Sequence, residues 1–200
     1  MFKLDVQADV RKVQRQLEQL ARSVQDRAIA AALNKTADKA KAEMRRQITS
    51  EFAIKASEVG SQIRVTRASA KGGMLIAVIE AFPRRRGHAS RNVALFRARQ
   101  TRNGVTVQIK RSGGRKLIPG AFIGNGGRTV FERVSGTTMS SRSKSKGPLH
   151  RQQIKAVETI DVPQMFNTRR INAKVIAKIG RDLPVELERA IRAAIAKTWR

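Results

Sequence analysis

The chain has no cysteine, which excludes disulfides, thiolate nucleophiles and cysteine-ligated zinc together. It has no tyrosine, one tryptophan and seven phenylalanines in 200 residues, so the core has to rest on Ile, Val, Leu and Ala. His88 and His150 are the only histidines. Neither has a second imidazole or a carboxylate at ligand spacing, and no metal or other cofactor is expected. No apolar run approaches membrane-spanning length, and the first residues lack the apolar segment of a secretory signal. The expectation is a protein made and used in a reducing compartment, or assembled there into something larger, with no membrane partner. The most telling shortage is of negative charge: 15 Asp and Glu stand against 42 Lys and Arg, for a formal net charge of +27. Like charges repel in a compact state, so an excess of this size points to a polyanion or an acidic protein surface nearby.

The excess is uneven. Residues 81–157 carry 18 basic residues and a single acidic one, Glu132, for a net of +17, whereas residues 1–80 carry +6 and residues 158–200 carry +4. The terminal thirds read as helical framework and the middle third as the working surface. The expected organisation is an N-terminal helical region over 1–60, a basic β-sheet region with long loops over 61–160, and C-terminal helices over 161–200. The length suits one domain overall.

Phe2, Leu4 and Val6 alternate with polar residues, as in a short strand or a docked arm, and Asp9 suits a helix N-cap. Apolar residues then recur at Val10, Val13, Leu17, Leu20 and Val24 and continue through Ile29, Leu33, Ala37, Ala40, Met44 and Ile48 without Gly or Pro. This is one stripe of an amphipathic helix. A bend or break is expected near Asn34-Lys35-Thr36, because a single helix of about forty residues is unusual in a globular chain. The Ala-rich second half suits packing on a sheet, with a coiled coil as the alternative.

A short helix is expected from Ser57 to Gly60, followed by strands over 63–65 and 74–80. The second run is almost wholly apolar and is the candidate central strand, ended by Phe82-Pro83. Residues 105–110 alternate, with Val105, Val107 and Ile109 facing inward. Residues 135–147, rich in Ser, Gly and basic side chains, read as a loop. Strand character resumes over 154–160, and Pro163 suits a first helical turn capped by Asp161. Two last helices are expected over 172–179 and 184–199, the second capped by Asp182 and displaying Leu187, Ile191, Ala194 and Ile195 on one side.

Residues 116–134 are the most informative run. Pro119-Gly120 is a turn signal, residues 121–123 form a first arm, residues 124–127 supply the backbone angles that side chains make costly, and residues 129–134 form a second arm. In that arm Val130, Glu132 and Val134 share one face, and Thr129, Phe131 and Arg133 the other. Neither face is cleanly polar, so both are expected to meet something, a helix on one side and a neighbouring subunit on the other. The glycines lack the Gly-Lys-Ser/Thr ending of a phosphate loop and lead into a strand rather than a helix. Glu132 has no carboxylate neighbour for acid/base chemistry. Lying between Arg128 and Arg133, it is expected in an ion pair or an intersubunit contact. Arg84, Arg85 and Arg86, and likewise Arg142, Lys144 and Lys146, suit nonspecific contact with nucleic-acid phosphates, since point charges on flexible stems need no fixed geometry. They suit solvated loops or acidic protein patches equally well, and no aromatic residue accompanies them for stacking on single-stranded bases.

Ile118-Pro119-Gly120-Ala121-Phe122-Ile123, then Asn125-Gly126, then Val130-Phe131-Glu132-Arg133-Val134 with Gly136 after it, closely resembles the central motif of the prophage minor tail protein Z family. The resemblance extends to an Ala-rich N-terminal helical region, a very basic middle, a strand near 154–159 and a basic C-terminal helix. In the family an Arg and a Pro-Ile-like segment follow the hairpin. Here Arg142 and Gly147-Pro148-Leu149-His150 take that place after a longer Ser/Lys-rich loop. The resemblance implies an α+β fold like those of tail-completion and neck proteins, with a mixed or antiparallel sheet packed by long N-terminal and C-terminal helices. It implies a structural protein rather than an enzyme, found in the virion tail of a long-tailed bacteriophage after synthesis in the host cytoplasm. Its expected role is completing the head-proximal end of the tail and supporting tail assembly or head-tail joining. The partners it implies are other tail or neck proteins, copies of the chain in a ring, and nonspecific contact with DNA in the channel. The assembly hairpin would be carried by Pro119, Gly120, Phe122, Asn125, Gly126, Phe131, Glu132 and Arg133. The composition leaves one alternative open, a nonspecific nucleic-acid-binding protein acting outside a virion.

Overall fold

A computed structural model describes residues 22–71, 75–83, 90–140 and 150–198. The expected first strand, the Asp9 cap and the stripe up to Leu20 lie outside these residues. The chain divides into two compact units, one drawing on residues up to Ile48, on 56–86 and on residues from Val162 onward, the other on 49–55 and 87–161. The class is α+β, and every strand pair among the described residues is antiparallel.

The first unit holds the 30-residue helix α1 (Arg22–Glu51) as far as Ile48 and the 30-residue helix α4 (Arg169–Thr198), together with the short α2 (Ala56–Gly60), the strands β1 (Ile63–Thr66) and β2 (Val78–Ala81), and α3 (Val162–Phe166). Ala28 and Ala32 of α1 pack with Leu187 and Ile191 of α4 in a buried cluster flanked by Ile29, Ala190, Ala194 and Ile195. The small residues let the helices approach closely, and the branched ones supply the buried area. Further along, Lys39 bonds Glu186 and Lys174 bonds Gln47. Partner numbers fall along α4 as they rise along α1, so the helices run antiparallel.

The expected break at Asn34-Lys35-Thr36 does not occur. The Asn34 carboxamide accepts from the Ala68 backbone N–H at 2.8 Å and donates to the Ala68 carbonyl at 3.0 Å. Occupied in this way, it does not compete for the helix's own backbone. The two expected C-terminal helices are likewise one: Pro184 lies inside α4, and Asp182 pairs with Lys178 at 3.1 Å, one turn earlier, instead of capping a new helix. Of the expected central strand over 74–80, Met74 lies outside the described residues, 75–77 form no strand, and 78–80 fall in β2, which among the described residues pairs only with β1; Ile76 before it is 62% exposed.

Two carboxylates are buried among cations in this unit. Burial alone would raise the Glu43 carboxyl, but hydrogen bonds from Gln47 and Arg46 outweigh it and hold the group below the usual value. The hydrogen bond from Lys39, with Arg189 nearby, lowers Glu186 despite its burial. Because both groups titrate lower folded than unfolded, their contribution is complete at neutral pH and disappears as pH falls through and below the ordinary carboxylate value of about 4.3, where the unfolded chain takes up protons first. The E43Q/E186Q protein is therefore expected to lose less of its melting temperature than the parent between pH 6 and pH 3. Identical acid slopes in thermal melts would count against this assignment.

The second unit is a set of small antiparallel sheets. β3 (Ser90–Asn92) pairs with β10 (Glu158–Ile160); β4 (Arg99–Thr101), β5 (Gly104–Val107) and β6 (Lys116–Pro119) form a meander; and β7 (Phe122–Gly124), β8 (Thr129–Ser140) and β9 (His150–Ala156) form a third sheet. Val93, Val105, Val107, Ala121 and Val130 make its core. β8 runs through residues 135–140, which composition assigns to a loop, and its register with β9 shifts between Arg133 and Thr138. Ladder pairing with β9 resumes over 138–140, so Ser and Gly content alone misleads.

Candidate assembly hairpin and its basic surroundings

β7 and β8 make the expected hairpin, with Phe122 opposite Phe131 and Gly124 opposite Thr129. Its turn is left-handed at three successive residues, Asn125 (φ 54°), Gly126 (φ 64°) and Gly127 (φ 84°). Asn tolerates that region and Gly enters it without strain, which is why this composition closes the loop. The first arm starts one residue later than the sequence suggests. Ala121 is buried in the core, and Pro119 and Gly120 lie at the exposed exit of β6, where the Gly120 N–H donates to the Asn103 carbonyl at 3.1 Å.

The two faces differ in what they meet. Val130 is fully buried, and its neighbours Val93, Val105, Val107 and Ala121 come from a 3-10 helix (Val93–Leu95), β5 and the start of the hairpin rather than from a long helix. The Asn92 side chain holds this contact: its amide donates to the Val130 carbonyl at 3.1 Å and its oxygen accepts the Val130 N–H at 2.8 Å. Glu132 shares the Val130 face and lies opposite Lys155, and it forms no ion pair among the described residues.

On the other face, the Phe122 and Phe131 rings sit 5.8 Å apart with planes 31° from parallel. The Arg133 guanidinium lies 5.0 Å from the Phe122 ring centroid, within range of a cation–π contact. A Cβ on Gly124 would come within 3.1 Å of the Phe131 ring, so the absent side chain makes room for the aromatic. Both rings are half-buried, Arg133 is exposed, and Ile154, directly across from Arg133, is 50% exposed. The structure thus gathers Phe122, Phe131 and Arg133 on one face and puts Glu132 on the other. Pro119, Gly120, Asn125 and Gly126 shape the chain around them.

Three supports stand beside the residues named from the sequence. Besides Asn92, Gln100 accepts the Ile123 N–H at 2.8 Å and donates to the Gly104 carbonyl at 3.2 Å. The third is an ion pair between Arg91 and Asp161 at 2.9 Å, with side chains only 3% and 1% exposed. By sequence Asp161 is a helix cap and Arg91 part of an irregular basic loop. An Asn directly before Val93-Ala94-Leu95 is a cap signal that identifies Asn92; a pair 70 residues apart leaves no local trace. Arg84, Arg85, Arg86, Arg142, Lys144 and Lys146 lie outside the described residues.

Among the described residues, no group of three or more His, Asp or Glu is placed to hold a metal ion, and no helix is long and apolar enough to cross a membrane. The family model for the prophage minor tail protein Z matches residues 10–197. No curated protein and no solved structure matches the chain.

Proposed function

Because the chain belongs to the prophage minor tail protein Z family, whose members are structural, non-catalytic proteins of phage tail completion that work among other tail proteins in the virion, we propose that it completes the head-proximal end of the tail. In this reading it forms a ring there, supports head-tail joining, and reaches that place from the host cytoplasm. The observation that carries the reading is the outer face of the hairpin: a half-buried aromatic pair, a stacked Arg133 and an exposed Ile154 on a sheet whose opposite face the core already uses. An apolar centre rimmed by a guanidinium is the composition of an interface core, and a neighbouring copy of the chain is the occupant that a ring supplies.

Glu at positions 133 and 154 tests it. Both side chains are exposed, so R133E/I154E is expected to melt near the parent temperature. Burying two carboxylates in the subunit interface should cut completed tails about tenfold or more, the size of removing one central anchor residue. Electron microscopy of purified tails and plaque titres read the effect. Wild-type titres with a wild-type number of subunits per tail, counted by mass, would sink the reading.

A further inference from the structure

The meander β4-β5-β6 presents a second surface that the hairpin does not use. Arg99 of β4, Thr106 of β5 and Leu117 of β6 stand opposite one another, and directly paired residues share a face. The reverse face carries the buried Val105. Arg115, just before β6, reaches over Thr106. Its Nη2 donates to the Arg97 carbonyl at 2.7 Å and to the Thr106 hydroxyl at 3.2 Å, and its Nε also approaches that hydroxyl, at 3.4 Å. Neutral oxygens therefore fix this guanidinium and leave its charge uncompensated. Arg97, which supplies one of them, is held at φ 50°, a conformation uncommon for a residue with a side chain. Arg97, Arg99 and Arg102 are all exposed. No Asp or Glu occurs anywhere from residue 81 to residue 131, and among the described residues none of these arginines has a carboxylate partner.

Folding that gathers like charges and fixes one of them without a counterion works against its own stability unless an anion arrives. We propose that the outer face of β4-β5-β6 docks the phosphate backbone of double-stranded DNA, with Arg99 and Arg115 touching phosphates and Arg97 and Arg102 beside them. A planar guanidinium held by its Nε edge still has donors for a phosphate oxygen. The face carries no aromatic side chain, so stacking on single-stranded bases has no platform there, whereas duplex phosphates need only charge and spacing. This goes beyond the role in tail completion: it uses residues which that role leaves idle, and it is read on the isolated chain whether or not rings form.

The test is fluorescence anisotropy of a labelled random-sequence duplex titrated with the full chain at several KCl concentrations, for the parent, R99Q/R115Q, and a control, K35Q/K55Q, that removes two exposed lysine charges elsewhere. The double arginine variant is expected to bind about tenfold more weakly at physiological salt and to flatten the slope of log affinity against log salt by about 1.8, that is about 0.9 for each phosphate no longer neutralised. The control is expected to shift neither by more than a small fraction of that. Equal losses in both variants would mean diffuse charge and would overturn the proposal. So would an unchanged slope in R99Q/R115Q, or polyglutamate competing as well as duplex at equal charge, which would make the face an acidic-protein site. Should Arg115→Gln impair folding, R99Q alone decides, with a slope change of about 0.9 expected and none overturning the assignment.

Discussion

Asp161→Ala is expected to lower the unfolding free energy by about 3–5 kcal/mol, the range for stripping one partner from a buried ion pair. The effect comes from what is left behind. Arg91 is 4% exposed as a residue, and a guanidinium cannot shed its proton to escape burial. Without the carboxylate it either stays charged in a poor environment or drags β3 toward water. β3 and β10 are three-residue strands that, among the described residues, pair only with each other, so this short ladder and the two Asn92 bonds to Val130 are what oppose that movement. The apolar double variant R91M/D161L is expected to recover most of the loss, since well-packed hydrophobic replacements of buried pairs are often neutral or better. Denaturant unfolding followed by far-UV circular dichroism measures both. If Asp161→Ala unfolded at the parental denaturant concentration, the pair would have to be solvated in the free protein.

The second large effect is at Gly104. This residue opens β5 at φ 144°, opposite Thr101 in β4 and Pro119 in β6. A Cβ there would lie 2.1 Å from the Ile118 carbonyl oxygen and 3.1 Å from the Gly120 nitrogen. Both obstacles are backbone atoms, one in β6 and one in the residue that follows it, so no side-chain rotation relieves the clash. Gly104→Ala is expected to cost about 2–6 kcal/mol, combining about 1–3 for the unfavourable dihedral with about 1–3 for overpacking. The damage should be local, loosening β5 from β6 and disturbing the adjacent Gln100 bonds. Amide hydrogen exchange would show it as faster exchange at Val105 and Val107. Unaltered exchange and an unaltered denaturation midpoint would contradict the strand geometry.

Much of this architecture can be read from residues close together in the chain. The apolar spacing of Ile29, Leu33, Ala37, Ala40, Met44 and Ile48 reports one helix face, and three successive residues suited to left-handed backbone report the hairpin turn, because both signals are local. Failures come where a distant partner overrides a local preference. Asn34 and Pro184 are punctuation marks by composition, yet each sits inside a 30-residue helix, the first because Ala68 satisfies its side chain. The apolar run 74–80 suggests a central strand, but a short apolar run does not reveal how many neighbours it has. In the candidate site, Phe122, Phe131 and Arg133 are visible as alternate residues of a strand pair. Arg115 is not, because its significance lies in neutral acceptors supplied by Arg97 and Thr106. The family motif marks the hairpin, alternation puts Glu132 on the face away from Phe131, and only the register shows that Phe122 stands opposite Phe131.

The Gln100 carboxamide has a consequence for how this protein can associate. Phe122 and Gly124 bond toward β8, which leaves Ile123 with its N–H turned outward, on the side where a foreign strand would add. Gln100 occupies that N–H and approaches the Ala121 carbonyl at 3.5 Å, standing in for the absent strand. An uncovered edge of this kind templates open-ended polymerisation, a hazard for any protein that accumulates beside identical copies. With the edge plugged, main-chain pairing that can continue without limit is closed at β7, and any association between copies is left to side chains on the sheet surface, where shape and charge set a finite number of neighbours.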